Sequence, residues 1–138
     1  MGWRAGRPAE VNMMLRTTLR LPEKLRDALT EHLKAADGYG VRDKSRWIGE
    51  AIHILVTEDK MLGFVGVGSR MDPDGNEVVS KVELNDEAAD DLKTAIRKLR
   101  RQSPLMEGVQ SEVIRSAIRY RLRRDANCHR VAEEEKQA

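Results

Sequence analysis

Three side chains with hydrogen-bonding capacity stand at every second position near the start of the chain. Arg16, Thr18 and Arg20 alternate with mostly apolar residues over positions 15–21. A period of two places such side chains on one face of a β-strand and the apolar ones on the other. Arginine can donate two hydrogen bonds to guanine or bind phosphate, and a threonine hydroxyl adapts to several base edges. The stretch predicts a half-buried strand whose outer face could contact nucleic acid.

A second stretch has the same period but different chemistry. Val79, Lys81 and Glu83 alternate with Ser80, Val82 and Leu84 at residues 79–84. Lysine is a phosphate and base donor, valine could touch a thymine methyl, and a carboxylate could accept a hydrogen bond from cytosine N4. A solvated Glu83 without a role in recognition is an equally good interpretation. The two strands would therefore contribute unequally.

Each strand is followed by the same order of predicted elements: a helix, a turn that contains glycine, and a second helix. The second helices align from Ser45 to Ile52 and from Ser111 to Ile118, with Ser, Ile, Ala and Ile in register. Apolar residues at helical spacing predict the first pair of helices at residues 23–36 and about 43–57. They predict the second pair at residues 86–102 and from 110 or 111 to 122. The chain therefore contains an internal duplication.

Several residues predict where these helices begin or approach one another. Asn85 is a good N-cap for the third helix, and Asp43 or Ser45 could cap the second. A glycine inside a helix costs stability, so Gly49 indicates either a close approach of another helix or a tolerated surface position.

The duplication divides the chain into five segments. We expect residues 1–12 to form a flexible basic arm, in which Arg4 and Arg7 could reach a minor groove or be simply solvated. Residues 13–57 and 78–124 are the two repeated units, and residues 125–138 are a polar tail. Between the units, residues 58–77 are a glycine-rich connector, in which Phe64, Val65 and Val67 could form a hairpin strand with residues 78–84.

Composition restricts the architecture and the class of protein. Of 138 residues, 35% are charged and 4% aromatic, which favours helices packed in thin layers around an aliphatic core. The formal net charge is only +2. Residues 97–130, however, carry ten Lys or Arg against three carboxylates, as expected beside a polyanion or on a solvated helix face.

Other functional classes lack support in the sequence. Cys128 is the only cysteine, which excludes a disulfide framework and a cysteine-based zinc site. No nucleophile–base pair, paired carboxylates or metal-ligand cluster stands out, so we expect neither an enzyme nor a bound cofactor or metal. The absence of a signal peptide and of a long apolar run predicts a cytoplasmic protein that does not contact membranes.

Each unit resembles the ribbon-helix-helix family, the Arc/MetJ/CopG superfamily of bacterial DNA-binding proteins. The resemblance rests on residues 15–22 (LRTTLRLP) and 109–114 (VQSEVI), and it covers residues 13–56 and 78–122. It implies a mainly α fold with a two-stranded antiparallel ribbon. In that fold the two units form a tandem pseudo-dimer within one chain, and cooperative assembly on DNA could follow.

The resemblance also implies which residues contact double-stranded DNA. The ribbon would enter the major groove with its outward side chains on the bases: Arg16, Thr18, Arg20, Val79, Lys81 and Glu83. The starts of the two second helices would hold phosphates at Lys44, Ser45, Gln110 and Ser111, although the serines could simply cap their helices. Two unlike strands imply an asymmetric site.

The family's commonest role implies a transcriptional repressor of bacterial, plasmid or mobile-element origin. Tandem members also resemble TraY-type accessory proteins, which would bind and bend transfer-origin DNA beside a relaxase during conjugation. A third interpretation is an antitoxin-like module that binds another protein, but residues 127–138 are short and polar for that purpose. The location of the binding site would distinguish the first two roles.

Overall fold

The computed structural model describes residues 15–36, 38–65 and 76–137. They form a two-stranded sheet and four α-helices. The strands are β1 (Leu15–Pro22) and β2 (Glu77–Leu84), and the helices are α1 (Glu23–Ala35), α2 (Lys44–Glu58), α3 (Asp86–Gln102) and α4 (Val109–Gln137). A 3-10 turn at Val41–Asp43 precedes α2. The predicted class, mainly helical with a two-stranded antiparallel ribbon, is confirmed.

The two strands pair with each other although more than fifty residues separate them along the chain. Leu15 lies opposite Leu84, Thr18 opposite Lys81, and Pro22 opposite Glu77. The inner side of the ribbon is buried at Leu19, Leu21, Ser80, Val82 and Leu84. Leu15, which the alternation also placed inside, is 36% exposed because it lies at the end of the ribbon. The period-two pattern therefore separates the two faces along most of each strand.

Helix α2 lies at the centre of the core. Its apolar face is buried in full, at Trp47, Ile48, Ala51, Ile52 and Leu55. It packs against α3, α4 and β2, and α4 presents Val113, Ile114, Ala117 and Ile118 to the same core. These aliphatic side chains recur at the three- and four-residue spacing of one helix face, which explains why both helices bury a stripe.

At Gly49, helix α2 lies close to α3. A Cβ atom built at Gly49 would lie 3.1 Å from the Cβ atom of Ala88. Two small residues therefore let the helices pack closely. Of the two interpretations of Gly49 open from the sequence, the structure supports the close approach.

Helix α4 is longer than its apolar stripe. The sequence predicted an end near Leu122, but the helix runs from Val109 to Gln137 and includes most of the predicted polar tail. Neither glycine nor proline occurs between residues 109 and 137, and Ala, Glu, Arg and Lys favour the helical conformation there. The end of an apolar stripe marks the end of packing and need not end the helix.

The first part of the connector forms a turn. Phe64 and Val65 lie in this turn, and β2 pairs with β1. The Asp59 carboxylate accepts hydrogen bonds from the backbone N–H groups of Gly63 and Phe64 at 3.2 and 2.8 Å. Asp59 therefore closes the chain into a local loop where a hairpin strand was considered. Val67, the third residue of that strand, lies outside the described residues.

A polar cluster ties α4 to α2 at the side of the core. The guanidinium of Arg121, which is 11% exposed, donates to the Trp47 carbonyl at 2.9 Å and to Glu50 Oε1 at 3.2 Å. It also donates to the Tyr39 hydroxyl at 3.0 Å and lies 4.6 Å from the centre of the Trp47 ring. One arginine thus satisfies polar groups on two elements and covers an aromatic face.

Candidate nucleic-acid interface

The six side chains predicted to read bases form three cross-strand pairs on one face of the ribbon. Arg16 is opposite Glu83, Thr18 is opposite Lys81, and Arg20 is opposite Val79. All six are exposed: Arg16, Thr18, Arg20, Val79, Lys81 and Glu83. Alternate residues of a strand point to the same side of a sheet, so these six share the outer surface. Their contact with DNA remains a prediction.

Charge is distributed unevenly along this face. At one end, Arg16 Nε lies 3.5 Å from Glu83 Oε1, so a cation and an anion neutralise each other. At the other end, Arg20 is opposite the apolar side chain of Val79, which is 65% exposed. Lys81 adds a third cation at the centre. The face as a whole is cationic, but its two ends differ in chemistry.

A side chain in the first turn of α2 and one in the first turn of α4 each form a hydrogen bond with a strand of the ribbon. The Lys44 ammonium, in the first turn of α2, donates a hydrogen bond to Ser80 Oγ on β2. Gln110 Nε2, in the first turn of α4, donates to Thr17 Oγ1 on β1 at 2.7 Å. Both side chains are predicted to contact phosphate, and in this structure each donates a hydrogen bond to a strand hydroxyl. Each keeps at least one further N–H donor, so the phosphate contact stays a prediction.

Ser45 also binds the ribbon and does not cap its helix. Its Oγ accepts a hydrogen bond from the backbone N–H of Glu83 at 3.0 Å. Asp43, the other predicted cap, accepts from the Gly40 N–H at 2.8 Å, and α2 has no side-chain cap. Asp43 does occupy the N-cap position of α2, but the predicted side-chain cap is wrong, because both side chains accept from donors outside the helix. For α3 it is confirmed, since Asn85 Oδ1 accepts from the Ala88 N–H at 2.9 Å.

Burial changes the proton affinity of one helix-start residue. Lys44 is half-buried between α2 and the ribbon, and desolvation together with the charge of Arg26 lowers its pKa. Loss of hydration disfavours the charged amine, and a second cation nearby acts in the same direction. Ser111, at the equivalent position to Ser45, lines an open groove beside β1 and β2 together with Arg20 and Arg115.

Sequence reasoning missed Arg115 as a ribbon contact. Its guanidinium donates to the backbone carbonyl of Arg20 at 3.0 Å and to Glu112 Oε1 at 2.6 Å. It therefore fixes the strand next to a predicted base-reading residue. The sequence offered one indication of this contact, since Arg115 lies one helical turn after Ser111 on α4. From the sequence, Arg115 was counted only among the basic residues of 97–130.

The basic run of residues 97–130 is partly neutralised within the protein. Arg115 pairs with Glu112, Arg121 with Glu50, and Arg124 with Glu58 at 3.0 Å. These pairs support the interpretation that part of the run serves packing and solvation. The ribbon face is the more specific candidate for a polyanion.

Within the described residues, no group of His, Cys, Asp and Glu could hold a metal ion. Across the same residues, no helix is both long and apolar enough to span a membrane. Arg4 and Arg7, the predicted minor-groove arm, lie outside the described residues. Comparison of the chain with protein-family models, curated proteins and solved structures gave no match.

Proposed function

We propose that this protein binds double-stranded DNA sequence-specifically by placing its β-ribbon in the major groove. The observation that carries the proposal is the outer face of the ribbon, where six exposed side chains stand in three rows and include Arg16, Arg20 and Lys81. A two-stranded ribbon fits the width of the major groove, and arginine and lysine are the usual donors to guanine there. The proposed function needs no cofactor.

We further propose that the chain is a tandem ribbon-helix-helix pseudo-dimer. Thr17 and Ser80 each stand four residues before the leucine that marks equivalent strand ends, Leu21 and Leu84. The helix start of each half binds the hydroxyl on the strand of the other half, through Gln110 and Lys44. Such crossed contacts are those expected of two intertwined equivalent units. The ribbon register supports the same symmetry, because Thr18 and Lys81, which are equivalent, lie opposite each other.

The biological role we propose is transcriptional repression by occupation of a promoter site. Because the two strands carry different side chains, one chain would recognise an asymmetric sequence without forming a homodimer. A binding site beside a transfer origin would instead assign the accessory role in conjugation, with a relaxase as partner. Mapping the binding site in its native DNA distinguishes these roles.

Selection of binding sites from a random pool of double-stranded DNA tests the proposal. We expect enrichment of one asymmetric sequence, bound in gel shifts with one chain, or several cooperatively added chains, per site. Sedimentation of the free protein should show that it does not need a homodimer to fold. Failure to enrich any sequence, or equal affinity for the selected and scrambled duplexes, would contradict sequence-specific binding.

A further inference from the structure

The Arg16–Glu83 ion pair points to a specific base pair within the proposed DNA site. The two residues are direct cross-strand partners, and Arg16 Nε lies 3.5 Å from Glu83 Oε1. Their side chains are 82% and 49% exposed, so both can reach a molecule on the outer face of the ribbon. This inference rests on the proposed function, since it assumes that this face enters the major groove.

Glu83 is held in place by its backbone while its carboxylate stays accessible. Its N–H donates to Ser45 Oγ at 3.0 Å, and its neighbours Val82 and Leu84 are buried. The carboxylate therefore projects from an anchored position at the end of the ribbon. An anchored acceptor beside a donor loses little conformational freedom when it binds, which favours specific recognition.

The pair complements the major-groove edge of a G·C base pair. Guanine presents two acceptors, N7 and O6, and the cytosine next to them presents the N4 amino donor. Arginine donates to the guanine acceptors, and a carboxylate accepts from cytosine N4. We infer that Arg16 and Glu83 read one G·C base pair together, with Arg16 on guanine and Glu83 on cytosine. This pairing fixes the direction in which the ribbon lies on its site.

The other end of the ribbon has a different arrangement. There Arg20 stands directly opposite Val79, which offers an apolar surface to a thymine methyl, and the carboxylate at that end, on Glu77, lies in the next row opposite Pro22. The two ends are separated by four residues of β1, roughly 13 Å in an extended strand, or about four base-pair steps of DNA. The orientation-dependent G·C pair should therefore occur at one end of a core of about five base pairs.

Base-pair substitution in the selected site tests this inference. We would measure competition between duplexes with G·C, C·G, A·T and T·A at each position of the core. The proteins are wild type, Arg16→Ala, Glu83→Ala and the double variant. Glu77→Ala is the control, because it removes a carboxylate from the same strand at the other end of the ribbon. Circular dichroism establishes that each variant remains folded.

Wild type should prefer G·C over C·G at one end position by roughly ten-fold or more. Glu83→Ala and Arg16→Ala should each remove most of that preference at the same position, and the double variant should lose little more. Both Glu83→Ala and Glu77→Ala remove a negative charge, so Glu77→Ala should raise affinity for all duplexes and Glu83→Ala should raise it for the duplexes without the preferred G·C pair. The result that tests the inference is therefore the ratio of the affinities for the G·C and C·G duplexes.

An unchanged G·C preference in Glu83→Ala would overturn the inference and leave an exposed ion pair without a reading role. The inference would also fail if Arg16→Ala and Glu83→Ala lost base preference at two different positions of the site. Arg20→Ala is measured beside these variants, and if it loses sequence-specific binding in either case, the proposed function stands. If wild type selects no sequence at all, the proposed function and this inference fail together.

Discussion

Gln110 Nε2 donates a hydrogen bond to Thr17 Oγ1 at 2.7 Å across a sequence separation of 93 residues. The bond joins the first turn of α4 to the middle of β1. Its counterpart joins Lys44 on α2 to Ser80 on β2. Together the two bonds hold both strands over the helices that pack beneath them, so the position of the outer face depends on helix packing as well as on strand pairing.

The Thr17–Gln110 contact should contribute a measurable coupling energy. Thr17→Val and Gln110→Ala each remove one partner of a half-buried hydrogen bond, and each should lower the free energy of unfolding by about 1 kcal/mol. The double variant should lose less than the sum, with a coupling of about 0.5–1 kcal/mol in urea denaturation. Gln102→Ala, at an exposed position near the end of α3, is the control. Strict additivity would show that the bond contributes nothing to stability.

Replacement of both outer arginines should separate binding from folding. In Arg16→Ala/Arg20→Ala we expect specific DNA binding to be lost, because each arginine–guanine contact contributes about 1–3 kcal/mol. The thermal unfolding midpoint should change little, since an exposed ion pair such as Arg16–Glu83 stabilises by at most about 1 kcal/mol. Arg97→Ala, on the exposed surface of α3, is the matched control. Wild-type affinity of the double variant in a gel shift would refute the ribbon as reader.

Two arginines on α4 should differ in their importance for stability. Arg121→Met removes one shared donor from the Trp47 carbonyl, Glu50 and the Tyr39 hydroxyl, and should destabilise the fold by about 2–3 kcal/mol. Glu50 keeps its contacts with Tyr39 and Arg46. Arg124→Met breaks partly exposed ion pairs with Glu58 and Asp125 and should cost less than about 1 kcal/mol. Chemical denaturation of both variants measures the difference. Equal effects would mean that the Arg121 cluster does not stabilise the folded state.

Lys44 should make a pH-dependent contribution to stability. Burial and Arg26 lower its pKa below the ordinary 10.5, so on titration the folded state loses the proton before the unfolded chain does. In that window the unfolded state binds more protons, and stability therefore rises with pH. The free energy of unfolding of wild type minus that of Lys44→Met should increase as the pH approaches 10.5 from neutrality.

Urea denaturation at several alkaline pH values measures this difference. Tyr120 also has a shifted pKa, which burial and Glu58 raise, but it is present in both proteins and cancels in the comparison. Lys24→Met, on the exposed surface of α1, controls for the loss of one lysine. A difference between wild type and Lys44→Met that stays constant with pH would contradict the expected effect.

The strands and helices were predictable from residues close together in the chain. Alternation located both strands, helical spacing located the buried stripe of α2, and Asn85 identified the start of α3. The period of apolar residues shows which side of a strand or helix is buried, and an N-cap residue bonds to the backbone of its own helix. Neighbouring residues are therefore sufficient to predict all three features. The length of α4 was underestimated because an apolar stripe reports packing, whereas the helix continues for as long as its residues favour it.

The contacts between distant residues could not be predicted from the sequence. That Ser45 binds the Glu83 N–H, that Gln110 binds Thr17, and that Arg115 holds the Arg20 carbonyl depend on elements far apart in the chain. The sequence identified Arg16 and Glu83 as outward residues, but their 3.5 Å ion pair follows from the antiparallel register. The register depends on how the two strands pack on a shared core, so it cannot be predicted from the alternation within either strand alone.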